Sequence, residues 1–73
     1  MPTNYQPMSS SAISGLEYDP DAQTLVVHFA KGGTYQYDGV PQEEYLAFVK
    51  APSAGQFFNA VIKPAYKYTN IGV

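Results

Sequence analysis

The chain has 73 residues, a formal net charge of −2, four Lys, no Arg and no Cys. This length supports one small hydrophobic core and therefore one domain. The absence of Cys excludes a disulfide framework, and a lone His28 cannot assemble a tetrahedral zinc site. Four cations are too few for a protein that contacts about 6 to 10 phosphates, so duplex DNA is not an expected partner.

The apolar runs in the sequence are shorter than the ~18 to 20 residues needed to span a bilayer. No basic amphipathic stretch indicates attachment to a membrane surface. The opening residues lack the basic and apolar regions of a signal peptide. We therefore expect a cytoplasmic protein that has no membrane partner.

Residues 1–11 hold two Pro, three consecutive Ser and no hydrophobic period, which predicts a flexible N-terminal arm before a single domain of residues 12–73. Alternation of apolar side chains predicts strands over residues 12–18 and 24–30. The two glycines of Lys31-Gly32-Gly33 permit a tight turn. Thr34–Asp38 is then the returning strand of a β-hairpin.

Two helices and a further strand are predicted after this hairpin. Pro41 and the acids that follow it favour a helix that ends near residue 51. Ser53 and Gln56 form a capping box for a second helix, which Pro64 is predicted to end. Residues 65–73 permit a fourth strand at the sheet edge. The expected fold class is α+β: a small antiparallel sheet of three strands, with a possible fourth C-terminal edge strand, packed against two short helices.

No pattern in the sequence predicts catalysis. His28, a carboxylate from Asp19 or Asp21 and one of the serines could form a hydrolase triad, but no nucleophile motif such as G-x-S-x-G accompanies them. His28 is interpreted as a strand residue on the less buried face, and Gly32-Gly33 as a turn instead of a phosphate loop. We expect a protein that is not an enzyme and that uses no cofactor, metal or small-molecule substrate.

Several segments together resemble the KTSC domain, a family named for a C-terminal extension of some lysyl-tRNA synthetases. The resemblance covers residues 10–69, and the family also occurs as short bacterial and phage proteins. The segments are Ser10-Ser11-Ala12-Ile13, Tyr18-Asp19-Pro20, Gly33-Thr34-Tyr35-Gln36-Tyr37, Gly39-Val40-Pro41, Ser53 to Asn59, and the pair Tyr66 and Tyr68. The hallmark is Tyr-x-Tyr, here Tyr35-Gln36-Tyr37. The resemblance implies contact with RNA and no active site.

Two partner hypotheses remain from the sequence. In size and general character the chain resembles small phage transcription regulators, which implies binding to the large subunits of host RNA polymerase, with a host elongation factor as a possible further partner. Such a protein inhibits initiation by displacing the sigma factor or promotes antitermination. The Arg-free acidic composition and an edge strand able to pair with a partner favour this hypothesis. The alternative is an RNA-binding module of the KTSC type, in which tyrosines stack on bases.

The candidate partner-binding residues are Tyr35, Tyr37, Lys63, Tyr66, Lys67 and Tyr68. Tyr35 and Tyr37 are interpreted first as packing residues of the sheet, with ligand stacking as the alternative, and Tyr37 is the one expected to reach a partner. The other four form a lysine and tyrosine cluster near the C-terminal end. Oligomeric state is open, because an exposed edge strand can pair with a copy of itself.

Overall fold

The computed structural model describes residues 4–8 and 10–72. Five strands form one antiparallel sheet in the order β1-β2-β3-β4-β5. They are β1 Asn4–Pro7, β2 Ile13–Asp19, β3 Thr24–Phe29, β4 Thr34–Asp38 and β5 Tyr68–Gly72. Two helices lie between β4 and β5 in the chain. Helix α1 is Gln42–Lys50, and helix α2 is a continuous run of Ala54–Phe57, Phe58–Ile62 and Lys63–Ala65. The predicted α+β class, with an antiparallel sheet and two helices, is confirmed.

Strand β1 is the main departure from the expected sheet. Asn4–Pro7 pairs antiparallel with β2, although the sequence placed these residues in a flexible arm. Residues 1–3 and Ser9 of that arm lie outside the described residues. A four-residue strand at a sheet edge is held by backbone hydrogen bonds, so it needs no hydrophobic period, and edge strands tolerate proline. The sheet therefore has five strands where the sequence predicted three or four.

The hairpin of β3 and β4 is confirmed with the predicted turn. Gly32 and Gly33 have φ angles of +104° and +93°, which glycine adopts without steric cost. Cross-strand pairing sets Tyr37 opposite Leu25 and Tyr35 opposite Val27. Both tyrosines therefore lie on the apolar face of the sheet, as their period-two spacing predicted.

Both helices pack on that apolar face and close a single core. The fully buried side chains are Ile13, Leu16, Leu25, Val27, Val40, Phe48 and Ile62. Phe48 of α1 stacks with Phe57 of α2, with ring centroids 5.4 Å apart, which joins the two helices. The Tyr18 hydroxyl donates a hydrogen bond of 2.5 Å to the Val40 carbonyl and so ties β2 to the residues that precede α1.

The opposite face of the sheet is open to solvent and carries polar side chains. Glu17 and His28, on neighbouring strands, approach to 2.5 Å, and each side chain is about a third exposed. Pairs exposed to this degree contribute little to stability, about 0 to 1 kcal/mol. The prediction that His28 lies on the less buried face is confirmed.

Helix α2 begins as predicted but continues further. The Ser53 hydroxyl accepts a hydrogen bond from the Gln56 N–H, as an N-cap does. Phe58–Ile62 forms a wide π turn, in which the Lys63 N–H bonds to the Phe58 carbonyl. This turn directly precedes Pro64, whose ring would clash with the carbonyl four residues earlier in a regular α-helix. The helix therefore runs through Pro64 to Ala65, and the prediction that Pro64 ends it is wrong.

Within the described part of the chain, no helix is long and apolar enough to cross a membrane.

Two neighbouring positions on α1 test the core assignment. Phe48 is fully buried, whereas Leu46 is 43% exposed. We expect Phe48→Ala to lower the free energy of unfolding by about 3 to 5 kcal/mol. Leu46→Ala, the matched control, should change it by only about 0.5 kcal/mol. Urea unfolding of both variants measures the difference, and equal losses would contradict the assignment.

Alkaline pH tests the role of the buried tyrosines. Burial, with a smaller contribution from the negative charge of Asp19, raises the pKa of Tyr18 above its usual value of 10.0. A raised pKa in the folded state gives stability that is present below pH ~10 and is lost as the pH rises through the folded-state pKa. The free energy of unfolding should therefore fall above pH ~10.

Tyr18→Phe is the variant that isolates this effect. It leaves the Val40 carbonyl without its donor, which costs about 1 to 3 kcal/mol at neutral pH. Its stability should also fall less steeply with alkaline pH than that of the wild type. Burial also raises the pKa values of Tyr37, Tyr45 and Tyr66, so part of the slope remains. Identical slopes in urea titrations of the two proteins would contradict the account.

Candidate functional site: an aromatic groove

A groove of about 370 Å³ lies between helix α2 and the edge of the sheet formed by β3, β4 and β5. Its lining residues are Phe29, Tyr35, Tyr37, Phe58, Asn59, Lys63 and Tyr68. The strand residues come from the apolar face, because β5 pairs with β4 so that Tyr68 lies opposite Tyr37 and Asn70 opposite Tyr35. The groove is thus the part of the apolar face that the helices leave uncovered.

Five aromatic rings in the groove form a closed cycle of contacts. The ring centroids are 5.5 Å apart for Phe29 and Tyr35, 5.4 Å for Tyr35 and Tyr68, 5.7 Å for Tyr68 and Tyr37, 5.5 Å for Tyr37 and Phe58, and 5.2 Å for Phe58 and Phe29. The Tyr68–Tyr37 pair is tilted and the other four are edge-to-face. Such pairs contribute about 0.5 to 1.5 kcal/mol each beyond burial. These contacts therefore stabilise the arrangement of the rings in the absence of a ligand.

Exposure of the rings increases from the helix towards the sheet edge. Tyr37 is 3% exposed, Tyr35 is half-buried and Tyr68 is 59% exposed. This reverses the expectation that Tyr37, and not Tyr35, reaches outwards. The reason is that Phe58 of α2 packs against Tyr37, whereas the Tyr35 ring lies beside Gly33 near the hairpin turn. Tyr68 offers the most accessible ring face.

The tyrosine hydroxyl deepest in the groove stays protonated at neutral pH. Burial raises the pKa of Tyr37, and the neighbouring Tyr68 and Tyr35 raise it further. A neutral phenol can both donate and accept a hydrogen bond. The floor of the groove is therefore uncharged and able to hydrogen-bond.

Lys63 is the charged residue among the described residues that line the groove. It lies four residues after Asn59 on α2, and both side chains are exposed. The acids lie elsewhere in the fold. Glu17 pairs with His28 on the open face, and the Asp38 carboxylate accepts a hydrogen bond from Gln36. The lining therefore carries a positive side chain and, among the described residues, no negative one, in a chain whose net charge is −2.

The remaining acids are also not among the residues that line the groove. Asp19 and Asp21 lie at the turn between β2 and β3, and the Asp19 carboxylate accepts a hydrogen bond from the Asp21 N–H. Glu43 and Glu44 lie in the first turn of α1, where the helix dipole favours negative charge. The acids of the described residues therefore lie outside the lining of the groove.

The structure brings together some of the sequence-predicted site residues and separates others. Tyr35, Tyr37, Lys63 and Tyr68 line one groove. Tyr66 instead reaches α1, where its hydroxyl donates to the Glu44 carboxylate at 3.1 Å. Burial and this hydrogen bond raise the pKa of Tyr66. The hydrogen bond of Tyr66 therefore links α1 to the segment that leads to β5.

Lys67 also lies outside the groove lining, next to it in the chain. Its carbonyl accepts a hydrogen bond from the Asp38 N–H at 3.2 Å, and its side chain is exposed. Phe29, Phe58 and Asn59 are groove residues that sequence reasoning did not select. Phe58 and Asn59 lie in the S-x-G-x-F-F-N segment, and Phe58 also belongs to the apolar stripe of the second helix, but neither signal says where the helix docks.

A second hollow, of about 470 Å³, lies between the end of β1 and the start of α2. Two of its three serines are engaged in local structure. Ser10 accepts a hydrogen bond from the Ala12 N–H, and Ser53 caps α2. Among the described residues that line this hollow, none is aromatic or charged. The aromatic groove is therefore the better candidate for ligand binding, although it is the smaller of the two.

The fold and groove define a small α+β domain with a preformed aromatic surface, and comparison with known proteins identifies its class. The KTSC domain model matches residues 9–66. The chain belongs to the KTSC domain family. A crystal structure of a KTSC domain protein from Yersinia pestis is similar to it, with a TM-score of 0.91, 44% sequence identity, and coverage of 96% of this chain and 99% of that one.

Curated relatives fall into two kinds. An uncharacterized protein of Stutzerimonas stutzeri is 43% identical over 65 residues, which cover 88% of this chain and 92% of the relative. A lysine–tRNA ligase of a Nostoc species is 38% identical over 61 residues, which cover 84% of this chain but only 11% of the ligase. The domain thus resembles both proteins of its own size and a small part of a much longer enzyme.

Two tyrosine variants test the division between core and surface in the groove. Tyr37→Ala removes a buried ring and should lower the free energy of unfolding by about 3 to 5 kcal/mol. Tyr68→Ala removes an exposed ring and its contacts with two tyrosines, so the expected loss is about 1 kcal/mol. Urea unfolding measures both. A larger loss for Tyr68→Ala than for Tyr37→Ala would contradict the division.

Proposed function

We propose that this domain binds single-stranded RNA, with bases stacked in the aromatic groove and the phosphate backbone beside Lys63. The observation that carries the proposal is the closed cycle of five rings with an exposed Tyr68 face and Lys63 as the charged residue of the lining. Base stacking on aromatic side chains contributes about 1 to 3 kcal/mol per base. A flat base and an anionic backbone match this combination of surfaces.

A duplex is a poorer match for the same surface. Bases within a double helix are stacked on one another, so their faces are not available to Tyr35 or Tyr68. Proteins recognise RNA sequence and shape mostly where bases are unpaired and can be splayed onto aromatic rings. The proposed ligand is therefore a single-stranded segment, such as a loop or a free end.

The family supports RNA as the partner. Relatives named as lysine–tRNA ligases contain a segment similar to this chain, and that segment is 11% of their length. A ligase of that name acts on an RNA. A small appended domain that contacts single-stranded RNA would add affinity for it by linkage to the rest of the enzyme.

The small number of lysines near the groove predicts that the affinity for RNA depends only weakly on salt concentration. Lys63 lines the groove and Lys67 lies close to it in the chain, so about two phosphates can be neutralised. Each contact with a single strand contributes about −0.7 to the slope of log K against log salt concentration, which predicts a shallow slope of about −1.4. Stacking therefore supplies more of the affinity than charge does.

Titration of a labelled single-stranded RNA, followed by fluorescence anisotropy at several salt concentrations, tests the proposal. Tyr68→Ala should weaken binding by about 1 to 3 kcal/mol, or roughly 5- to 150-fold. Lys63→Ala should make the salt slope shallower by about 0.7. Lys50→Ala, which removes an exposed lysine at the end of α1, is the matched control and should alter neither quantity.

Three outcomes would contradict the proposal. They are absence of binding at low salt, equal losses for Lys50→Ala and Lys63→Ala, and tighter binding to a duplex of the same length. Circular dichroism of each variant confirms that the fold is intact, so that a loss of affinity is assigned to the groove.

The sequence also raised a phage regulator of host RNA polymerase. The relatives described above are bacterial proteins and give this hypothesis no support, and no feature of the groove distinguishes a polymerase surface as its ligand. We therefore do not adopt it as the proposed function. Recovery of polymerase from host lysate after nuclease treatment would reinstate it.

A further inference from the structure

Tyr37 carries a polar group that the fold itself does not use. The residue is only 3% exposed, yet no group of the described residues forms a hydrogen bond with its hydroxyl. The hydroxyl of Tyr18, by contrast, donates to the Val40 carbonyl. The hydroxyl of Tyr66 donates to the Glu44 carboxylate. Because a polar group that is buried without a partner costs free energy, the surroundings of the Tyr37 hydroxyl are informative.

The Tyr37 hydroxyl opens into the aromatic groove. Among the described residues, every fully buried side-chain nitrogen or oxygen atom has a hydrogen-bond partner. The Tyr37 hydroxyl has none, so it belongs to the small part of this side chain that solvent reaches. Tyr37 lines the groove, and the neighbouring Tyr35 and Tyr68, which line it too, raise the pKa of Tyr37. The hydroxyl therefore lies on the groove side, at its floor.

Asn59 supplies a second neutral polar group to the groove. It lines the wall formed by α2, its side chain is exposed, and it forms no side-chain hydrogen bond with the described residues. A carboxamide has one acceptor oxygen and two N–H donors, and a phenol both donates and accepts. The groove therefore combines stacking surfaces with two groups that can hydrogen-bond in both directions.

We propose that the groove takes one unpaired adenine edge-first, with its polar edge hydrogen-bonded to the Tyr37 hydroxyl and the Asn59 carboxamide and its face against Tyr68. The inference rests on the proposed function, which brings a base to this groove. The groove volume of about 370 Å³ lies near the lower end of the range of small-molecule sites, about 300 to 1,000 Å³. That size matches one base better than a stack of several.

The polar groups of the groove match adenine better than the other bases. An asparagine carboxamide accepts from the adenine N6 amino group and donates to N7. Guanine presents two acceptors at N7 and O6, which match a lysine or an arginine, but the proposed function places the phosphate backbone beside Lys63. The other edge of guanine presents adjacent donors that match a carboxylate, and no acid is among the described lining residues. Uracil and cytosine offer a smaller face for stacking.

Four labelled five-residue RNA strands, with A, G, C or U at the centre and uridine elsewhere, test this inference by fluorescence anisotropy. The wild type should bind the adenine strand about 5- to 150-fold more tightly than the all-uridine strand. Asn59→Ala should remove most of this preference. Gln56→Ala, which removes an exposed amide of the same helix outside the lining, is the matched control and should keep it.

Two conservative tyrosine variants separate ligand binding from stability. Tyr37→Phe removes a hydroxyl that has no partner among the described residues, so the urea midpoint should not change. Its affinity for the adenine strand should fall by roughly 2- to 12-fold, because one hydrogen bond to the base is lost. Tyr18→Phe should do the converse: it loses the bond to Val40, which lowers the urea midpoint, and the folded variant should bind the adenine strand as the wild type does.

Three results would overturn the inference: equal affinity of the wild type for the four strands, a preference for a central base other than adenine, or a Tyr37→Phe variant that binds the adenine strand as the wild type does. In each of these cases, binding that Tyr68→Ala weakens leaves the proposed function in place. Absence of binding to any strand at low salt overturns the proposed function together with this inference. Circular dichroism confirms that each variant is folded.

Discussion

Phe58 joins helix α2 to the sheet through edge-to-face contacts with Phe29 and Tyr37. These contacts determine where α2 lies, and the positions of Asn59 and Lys63 follow from it because they come one and five residues later on the same helix. Phe48, which is fully buried, stacks near Phe58 and ties the same point to α1. The same aromatic contacts therefore form part of the core and one wall of the groove.

The opposite wall depends on the register of β5. The chain leaves α2 after Ala65, and the Tyr66 hydroxyl bonds to Glu44, which holds the connecting segment against α1. Tyr68 then pairs opposite Tyr37. Because side chains alternate along a strand, a shift of one residue would turn the Tyr68 ring to the open face and remove it from the groove. Tyr66 thus contributes to the groove by positioning a strand that it does not itself belong to.

The distribution of charge explains how an acidic chain can present a surface for an anion. The acids lie at a turn, at the first turn of α1 and on the open face of the sheet, where Glu17 pairs with His28. None of these acids is among the residues that line the groove with Lys63. The net charge of the chain therefore does not describe the charge that lines the groove. A ligand that binds mainly by stacking needs few positive side chains there.

Local signals in the sequence predicted the local structure well. The Gly32-Gly33 turn and the alternation in Thr34–Asp38 predicted the hairpin, and Ser53 with Gln56 predicted the start of α2. Strand β1 was missed because backbone pairing at an edge leaves no hydrophobic pattern in Asn4–Pro7. The end of α2 was misplaced because the π turn before Pro64 changes the backbone that the proline meets.

The groove itself could be predicted only in part. Tyr35, Tyr37, Lys63 and Tyr68 were selected for their chemistry, and the structure places them together. Tyr66 had the same chemistry and a similar position in the chain, yet it faces α1. The relative exposure of Tyr35 and Tyr37 depends on where Phe58 docks, which is a tertiary contact across more than twenty residues of sequence. Periodicity carries no information about such contacts.

The most direct test of the central claim is a two-dimensional NMR titration of the isotopically labelled chain with a short single-stranded RNA. The account predicts that chemical shift changes concentrate at the backbone amides of Tyr35, Tyr37, Asn59, Lys63 and Tyr68, while those of Glu17 and His28 on the open face stay unchanged. Changes centred on the open face or on α1, or no changes at millimolar RNA, would contradict it.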